Sequence, residues 1–148
     1  MSKQLMIYEN IQPLSDKHRT WAVNVSSYDF AAHLNSSPLL ATEIPFAAGE
    51  YPIIFSATAT EGEYLPLAVM GLKEGQNLFI DANGKFSARY IPAFIRRYPF
   101  VLAGAKEAET LTLCIDENSK ACIADGSQGK RLFDDNGEQS AHLKEVVE

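Results

Sequence analysis

Three of the chain's 13 lysines and arginines, Arg89, Arg96 and Arg97, fall between positions 89 and 97. A guanidinium carries a planar fork of donors that matches a carboxylate or phosphate. Tyr98 beside this cluster and Tyr51 in a related segment could converge with it on one ligand. Arg89, Arg96, Arg97, Tyr98 and Tyr51 are therefore the candidate binding residues, as an anion or carboxylate clamp. The competing reading is structural. Cations at a helix C-terminus complement its exposed carbonyls, and long arginine stems cover apolar surface.

Signals of catalysis are missing from the sequence. His18, His33 and His142 stand in no metal-ligand spacing and read as surface or helix-packing side chains. Cys114 and Cys122 match neither a zinc knuckle nor a redox pair. If 116–120 forms a hairpin loop, the two would face each other on paired strands and a disulfide becomes open to them. Two reduced, partly buried thiols is the reading that suits a cytosolic chain. Asp81-Ala82-Asn83-Gly84 and Asp134-Asp135-Asn136-Gly137 invite a calcium loop, but the glycine comes too early and the bidentate Glu is missing. They read as turns. Glu61 and Glu63 read as solvated loop charges. No G-x-S-x-G, phosphate-binding loop or G-x-G-x-x-G occurs. The expectation is no catalytic residue, no metal and no cofactor.

The chain has 148 residues, 46% hydrophobic and 22% charged, with a formal net charge of −6. That composition supports a packed core without disulfide or metal staples. The negative charge argues against nucleic-acid binding and against binding to an anionic membrane. No apolar run is long enough to span a bilayer, and the start lacks the pattern of a signal peptide. A cytoplasmic location is expected, with export by a leaderless route as the alternative.

The elements that would position the arginines show an echo. Residues 44–55 read IPFAAGEYPIIF and 91–102 read IPAFIRRYPFVL, 47 positions apart. Ile44, Ala47, Ala48 and Tyr51, and likewise Ile91, Phe94, Ile95 and Tyr98, have the i, i+3, i+4, i+7 spacing of a helix packed on a core. Pro45 and Pro92 suit a first turn. Pro52 and Pro99 force the preceding tyrosine toward extended geometry and stop the helix. The spacing predicts two-turn helices over 44–50 and 91–98, each followed by a strand. NLFIDANG at 77–84 and RLFDDNG at 131–137 extend the echo, and Ser140 should open a third helix through Glu148. The echo has two readings: duplication of a helix-plus-strands unit, or coincidence between short, biased segments.

Further strands are expected at 5–9, 20–25, 53–57, 65–72, 78–80, 100–102, 111–115 and 132–133, with a short helix over 28–34 capped by Ser26 or Ser27. Turns should fall at Glu61-Gly62, Glu74-Gly75, Asn83-Gly84, Asp125-Gly126 and Asn136-Gly137. Hairpin turns in succession predict an α+β fold, a mainly antiparallel sheet with short helices.

Tyr8-Glu9, Pro13-Leu14, Glu50-Tyr51-Pro52-Ile53-Ile54-Phe55, Gly71-Leu72, Asn77-Leu78-Phe79, Cys114-Ile115-Asp116, Leu132-Phe133-Asp134 and above all the run from Tyr90 to Phe100, YIPAFIRRYPF, together resemble the bacterial SapC family. The matches run from the first strand to the last helix. Two departures stand out: Phe86 occupies a position where the family has tryptophan, and family members continue past the end of this chain. The resemblance implies one SapC-like domain over 1–148, incomplete at its C-terminus. It also implies a link to bacterial surface layers, and to the outer-membrane receptors and flavin-dependent halogenase-like proteins encoded near its relatives. A peptide-transport permease shares the name but spans the membrane, which this sequence does not.

The function expected from this combination is a non-enzymatic accessory or protein-interaction protein tied to surface-layer or envelope machinery, with a protein partner. The alternative is an enzyme or small-molecule binder whose pocket lies between the two helix–strand units. The sequence sets no oligomeric state.

Overall fold

The structure, a computed structural model, describes residues 6–104 and 110–147. Along the chain the elements are β1 (Ile11–Pro13), β2 (Ala22–Val23), β3 (Ser36–Pro38), α1 (Ile44–Ala47), β4 (Ile53–Ala57), β5 (Tyr64–Val69), α2 (Ala93–Arg96), β6 (Phe100–Ala103), β7 (Thr112–Asp116), β8 (Cys122–Ile123), β9 (Lys130–Arg131) and α3 (Ala141–Val147). Single 3-10 turns lie at Asp16–His18, Asp29–Ala31 and Ala41–Glu43. Two compact units emerge. Ser27–Arg96 forms a contiguous unit, and a split unit joins the described residues up to Ser26 to those from Arg97 onward. All strand pairs are antiparallel. The contiguous unit holds a sheet of order β3-β5-β4, and the split unit holds β1-β7-β6 and β8-β2-β9. The fold is α+β and mostly sheet.

The two proline-framed blocks are helical, but only for one turn each. Pro45 occupies the first turn of α1, where a missing N–H leaves nothing unsatisfied. Pro92 plays the same part before α2, its carbonyl accepting the Ile95 and Arg96 N–H groups at 2.9 Å. Tyr51-Pro52 and Tyr98-Pro99 then turn the chain into β4 and β6. Ala47, Tyr51, Phe94, Ile95 and Tyr98 are buried as the spacing requires. Ala48 is exposed, because α1 ends before it and it lies in the following turn.

The echo extends to hydrogen bonding, so the duplication reading stands on geometry. Val69 N–H donates to Pro52 O and Asp116 N–H to Pro99 O, both at 2.9 Å. Leu39 N–H donates to Pro66 O and Leu14 N–H to Leu113 O, again at 2.9 Å. Met70 N–H bonds Asn35 O, and Glu117 N–H bonds Asn10 O. Hence β3 corresponds to β1, β5 to β7 and β4 to β6. The Asp-x-Asn-Gly turns also match. Asp81 Oδ1 accepts the N–H of Asn83 and Lys85, and Asp134 Oδ1 accepts those of Asn136 and Glu138. Gly84 and Gly137 have φ of 74° and 80°, a left-handed conformation that explains a glycine at each.

Several boundaries differ from expectation, each because a backbone group is used otherwise. The first strand is Ile11–Pro13 rather than 5–9. The Asp116 carboxylate takes the N–H groups of Glu9 and Asn10, holding that segment out of the sheet; Leu5 lies outside the described residues. The 20–25 strand shrinks to Ala22–Val23, since Trp21 N–H turns back to His18 O. The 28–34 helix is one 3-10 turn, with Ser27 Oγ accepting the Asp29 N–H. The strand expected over 65–72 starts one residue earlier and ends at Val69, and that over 111–115 lies at Thr112–Asp116. Ile80 and Phe133 make single-residue bridges, to Phe86 and Gln139, because the Asx turns bring so little backbone together; β9 precedes Phe133. Ser140 caps α3 through the Leu143 N–H, at 3.1 Å. Glu148 lies outside the described residues. Cys114 and Cys122 are free and do not face each other: Cys114 on β7 pairs with β1 and β6, while Cys122 on β8 pairs with β2.

The split unit's core is built from Val23, Phe100, Ile115, Ala121, Leu132 and Leu143, with Trp21 and Phe133 against it. In the contiguous unit Phe94 and Ile95 are buried while Phe46, on α1, is 65% exposed. Phe94→Ala should therefore cost about 3–5 kcal/mol, as a buried large-to-small change, and Phe46→Ala within about 0.5 kcal/mol. Urea unfolding of both variants checks this; equal effects would contradict it.

Candidate functional site

The five sequence-derived candidates divide between the units. In the contiguous unit, Tyr51, Arg89 and Arg96 gather around Tyr90. The buried Tyr51 hydroxyl donates to the Tyr90 carbonyl at 2.5 Å. Arg96 is exposed, donates to the Ile91 carbonyl at 3.3 Å and lies 5.6 Å over the Tyr90 ring. Phe46 stacks on the same ring at 5.8 Å. Arg89 extends into solvent and bonds Glu50 Oε1 at 2.8 Å. In the split unit, exposed Arg97 interacts with the Tyr8 hydroxyl, and buried Tyr98 reaches Asp116 Oδ2 at 3.4 Å. Burial is the main cause that pushes the Tyr98 phenol up to about 12, and it raises Tyr51 too, with Glu50 adding to the effect. Both phenols are therefore protonated donors near neutral pH.

The groups that organise this region are carboxylates that pattern reading passed over. Glu43 is buried. Its Oε1 accepts the Tyr90 hydroxyl and the Ala93 N–H, both at 2.7 Å, and its Oε2 accepts the Leu40 N–H at 2.8 Å. One side chain thus closes the 3-10 turn and caps the start of α2. Asp116 is fully buried. Its Oδ1 accepts the Asn10 and Asn118 N–H groups, and its Oδ2 the Glu9 N–H. Charge-assisted bonds to N–H groups of this kind are the stronger class.

His18 corrects the surface or helix-packing reading: it is buried, 1% exposed, and sits in a 3-10 turn. Its Nε2 lies 3.0 Å from Glu117 Oε1, and its Nδ1 lies 3.4 Å from Ser15 Oγ. Hydroxyl, imidazole and carboxylate in series are the members of a nucleophile relay. Two observations assign them a structural role instead. Nδ1 lies 3.1 Å from the Ser15 backbone N, whose N–H it accepts, so this ring nitrogen is engaged by the backbone of its own turn. The equivalent corner of the contiguous unit is closed in the same manner, by Glu43 accepting the Leu40 N–H. His18 is a backbone cap, oriented by Glu117.

Other reactive side chains are subdued. Burial, with Asp116 and Glu117 nearby, pushes the Cys122 thiol up to about 12, and burial raises Cys114. Such thiols are poor nucleophiles near neutral pH. Burial also lowers the pKa of His142, with Lys130 adding to the effect, so its ring is neutral at pH 7; it packs edge-on against Phe100. His33 is exposed. Among the described residues, no group of three His, Cys, Asp or Glu side chains is placed to hold a metal ion. No helix there is long and apolar enough to cross a membrane.

A twinned α+β architecture, with its buried polar side chains spent on backbone groups, is the class of protein defined by this geometry. The SapC family model matches residues 14–148, nearly the whole chain, and the chain belongs to the SapC family. No curated protein and no solved structure matches it.

The Glu117 carboxyl is held below the ordinary carboxylate range by its hydrogen bond from Lys17, with His18 contributing. A depressed folded pKa contributes stability that is present above the unfolded pKa and lost as pH falls through the folded one. Melting temperatures of wild type and Glu117→Gln should therefore differ at pH 7 and converge as the pH drops below the ordinary carboxylate range. A gap independent of pH would contradict the assignment.

Proposed function

We propose that the protein is a non-enzymatic interaction protein, an accessory factor of surface-layer or envelope machinery. The observation that carries this is where the apolar surface lies. Of the ten exposed large apolar side chains among the described residues, seven lie in the contiguous unit, Leu40, Phe46, Ile54, Phe55, Tyr64, Leu72 and Leu78, against Met6, Leu102 and Leu111 in the split unit. Exposed apolar surface beyond scattered single side chains marks interaction sites, and Phe55 and Tyr64 share one face of a hairpin. The use of His18, Glu43 and Asp116 as backbone acceptors supports the same reading. Family membership supplies the envelope link by association only, since a fold does not fix a function.

Tyr51 and Tyr98 are buried, each in the core of its own unit, and the exposed Arg96 and Arg97 are the side chains offered to the partner. The tagged full-length chain, purified from its native host and subjected to mass spectrometry, should carry one stoichiometric protein partner. Replacing both arginines, Arg96→Glu with Arg97→Glu, should leave the melting temperature nearly unchanged, since both side chains are exposed and surface substitutions usually cost within about 0.5 kcal/mol. The same variant should lose the partner, because reversed charge repels an anionic surface. Absence of any stoichiometric partner with wild type would overturn the proposal, and an unfolded double variant would make the arginines structural.

A further inference from the structure

We infer that the outer edge of β4 is a docking site for an extended segment of another protein, one that adds as an antiparallel strand and carries Lys or Arg just before its apolar residues. This rests on the interaction reading above for there being a partner, and adds the partner's form.

The hydrogen-bond phase of the hairpin exposes the edge. Val69 N–H donates to Pro52 O, and Thr58 N–H donates to Glu63 O. Antiparallel pairs alternate, so residues 52, 54, 56 and 58 face β5, while Ile53, Phe55 and Ala57 turn their N–H and C=O groups outward. Among the described residues none bonds to those groups. Pro66 fits the same phase: it lies opposite Phe55, in a pair that needs no N–H. Edge strands are ordinarily guarded by lysine, proline or a bulge, and Ile53–Ala57 reads IIFSA with none of these. The twin unit shows the edge being used. Phe100, the counterpart of Ile53, has its carbonyl bonded by the Tyr8 hydroxyl at 2.7 Å.

Side chains add an apolar contact on both faces. Phe55 and Tyr64 project from one face of the hairpin, 63% and 65% exposed, and Ile54 from the other, 49% exposed. Large side chains of this kind bury about 150–250 Å² each, so their free area sums to roughly 350 Å². A stable dimer needs about 800 Å² from each partner, which makes a second copy a poor occupant of this edge. One added strand needs less, because its main-chain hydrogen bonds supply the affinity and side-chain pockets the selectivity. Charge sets the polarity. From Pro52 to Val69 the charged residues are Glu61 and Glu63, both exposed in the loop that follows β4. An antiparallel strand brings its N-terminal end to that loop, so its basic residues precede its apolar ones.

The test uses the full chain and three blocked synthetic peptides: Lys-Lys-Val-Thr-Val-Thr-Val, the same with Glu-Glu leading, and the first with every nitrogen from the first valine onward methylated. Amide hydrogen exchange is followed by NMR. The first peptide should slow exchange at Ile53, Phe55 and Ala57 by at least about tenfold, the effect of one or two hydrogen bonds. The Glu-led peptide should bind several-fold more weakly at low salt, and the methylated one should leave these amides unprotected. No slowing, slowing elsewhere, or equal slowing by the methylated peptide overturns the inference. So does a wild-type dimer in sedimentation that Phe55→Lys converts to monomer, since the occupant would then be a second copy. If the Phe55→Lys chain still captures the host partner, the edge is not the partner's site and the interaction reading survives. If wild type captures none, it is that reading that fails.

Discussion

A buried backbone N–H without an acceptor costs about as much as a lost hydrogen bond, and a fold of short elements produces many of them. Helices of four to seven residues and strands of two to six leave most of their ends unpaired. In each unit a single buried carboxylate answers this. Glu43 binds the Leu40 and Ala93 N–H groups and the Tyr90 hydroxyl. Asp116 binds the N–H groups of Glu9, Asn10 and Asn118. Both carboxylates join segments far apart in sequence, so the elements hold one another in place although none is long enough to be stable alone.

The same economy separates scaffold from surface. His18 and Glu43 close equivalent corners with different chemistry, an imidazole in one unit and a carboxylate in the other. What remains for function lies outside the corners: the exposed arginines near α2, the aromatic stack of Phe46 on Tyr90, and the open edge of β4. The buried polar groups keep that surface in shape, which is the ground of the proposed interaction role.

Much of the fold was legible, for identifiable reasons. Proline leaves few backbone options, so Ile-Pro and Tyr-Pro located α1 and α2, although each helix is one turn and ends before its Tyr-Pro step. Glycine turns were equally readable, and Gly62, Gly75, Gly84, Gly126 and Gly137 all have positive φ. Strand limits were less so, because β1 and β2 begin where other acceptors, the distant Asp116 carboxylate and the nearby His18 carbonyl, take the N–H donors before them. The carbonyls and carboxylates that decide such ends leave no local pattern. One signal was present and unused: Asn10-Ile-Gln-Pro13-Leu14 and Asn35-Ser-Ser-Pro38-Leu39 share Asn-x-x-Pro-Leu, and they are the twin strands β1 and β3 with their flanking residues. Of the candidate site, the arginines were legible as exposed cations. Tyr51 and Tyr98 had the spacing of core residues and are core residues. Glu43, at the end of an unremarkable Leu-Ala-Thr-Glu, could not be picked out, since its partners Tyr90 and Ala93 come from the other end of the unit.

One buried carboxylate, Glu43, holds the contiguous unit together by joining the Leu40 N–H of its own turn to the Ala93 N–H, 50 positions away. Glu43→Gln tests it with almost no change of shape. The amide has one acceptor oxygen, so its NH2 must oppose the donors on one side of the site. Native-state hydrogen exchange should show the Leu40 and Ala93 amides losing protection together, while amides of the split unit's β6–β7 pair keep theirs. Unchanged protection at both Leu40 and Ala93 would contradict the account.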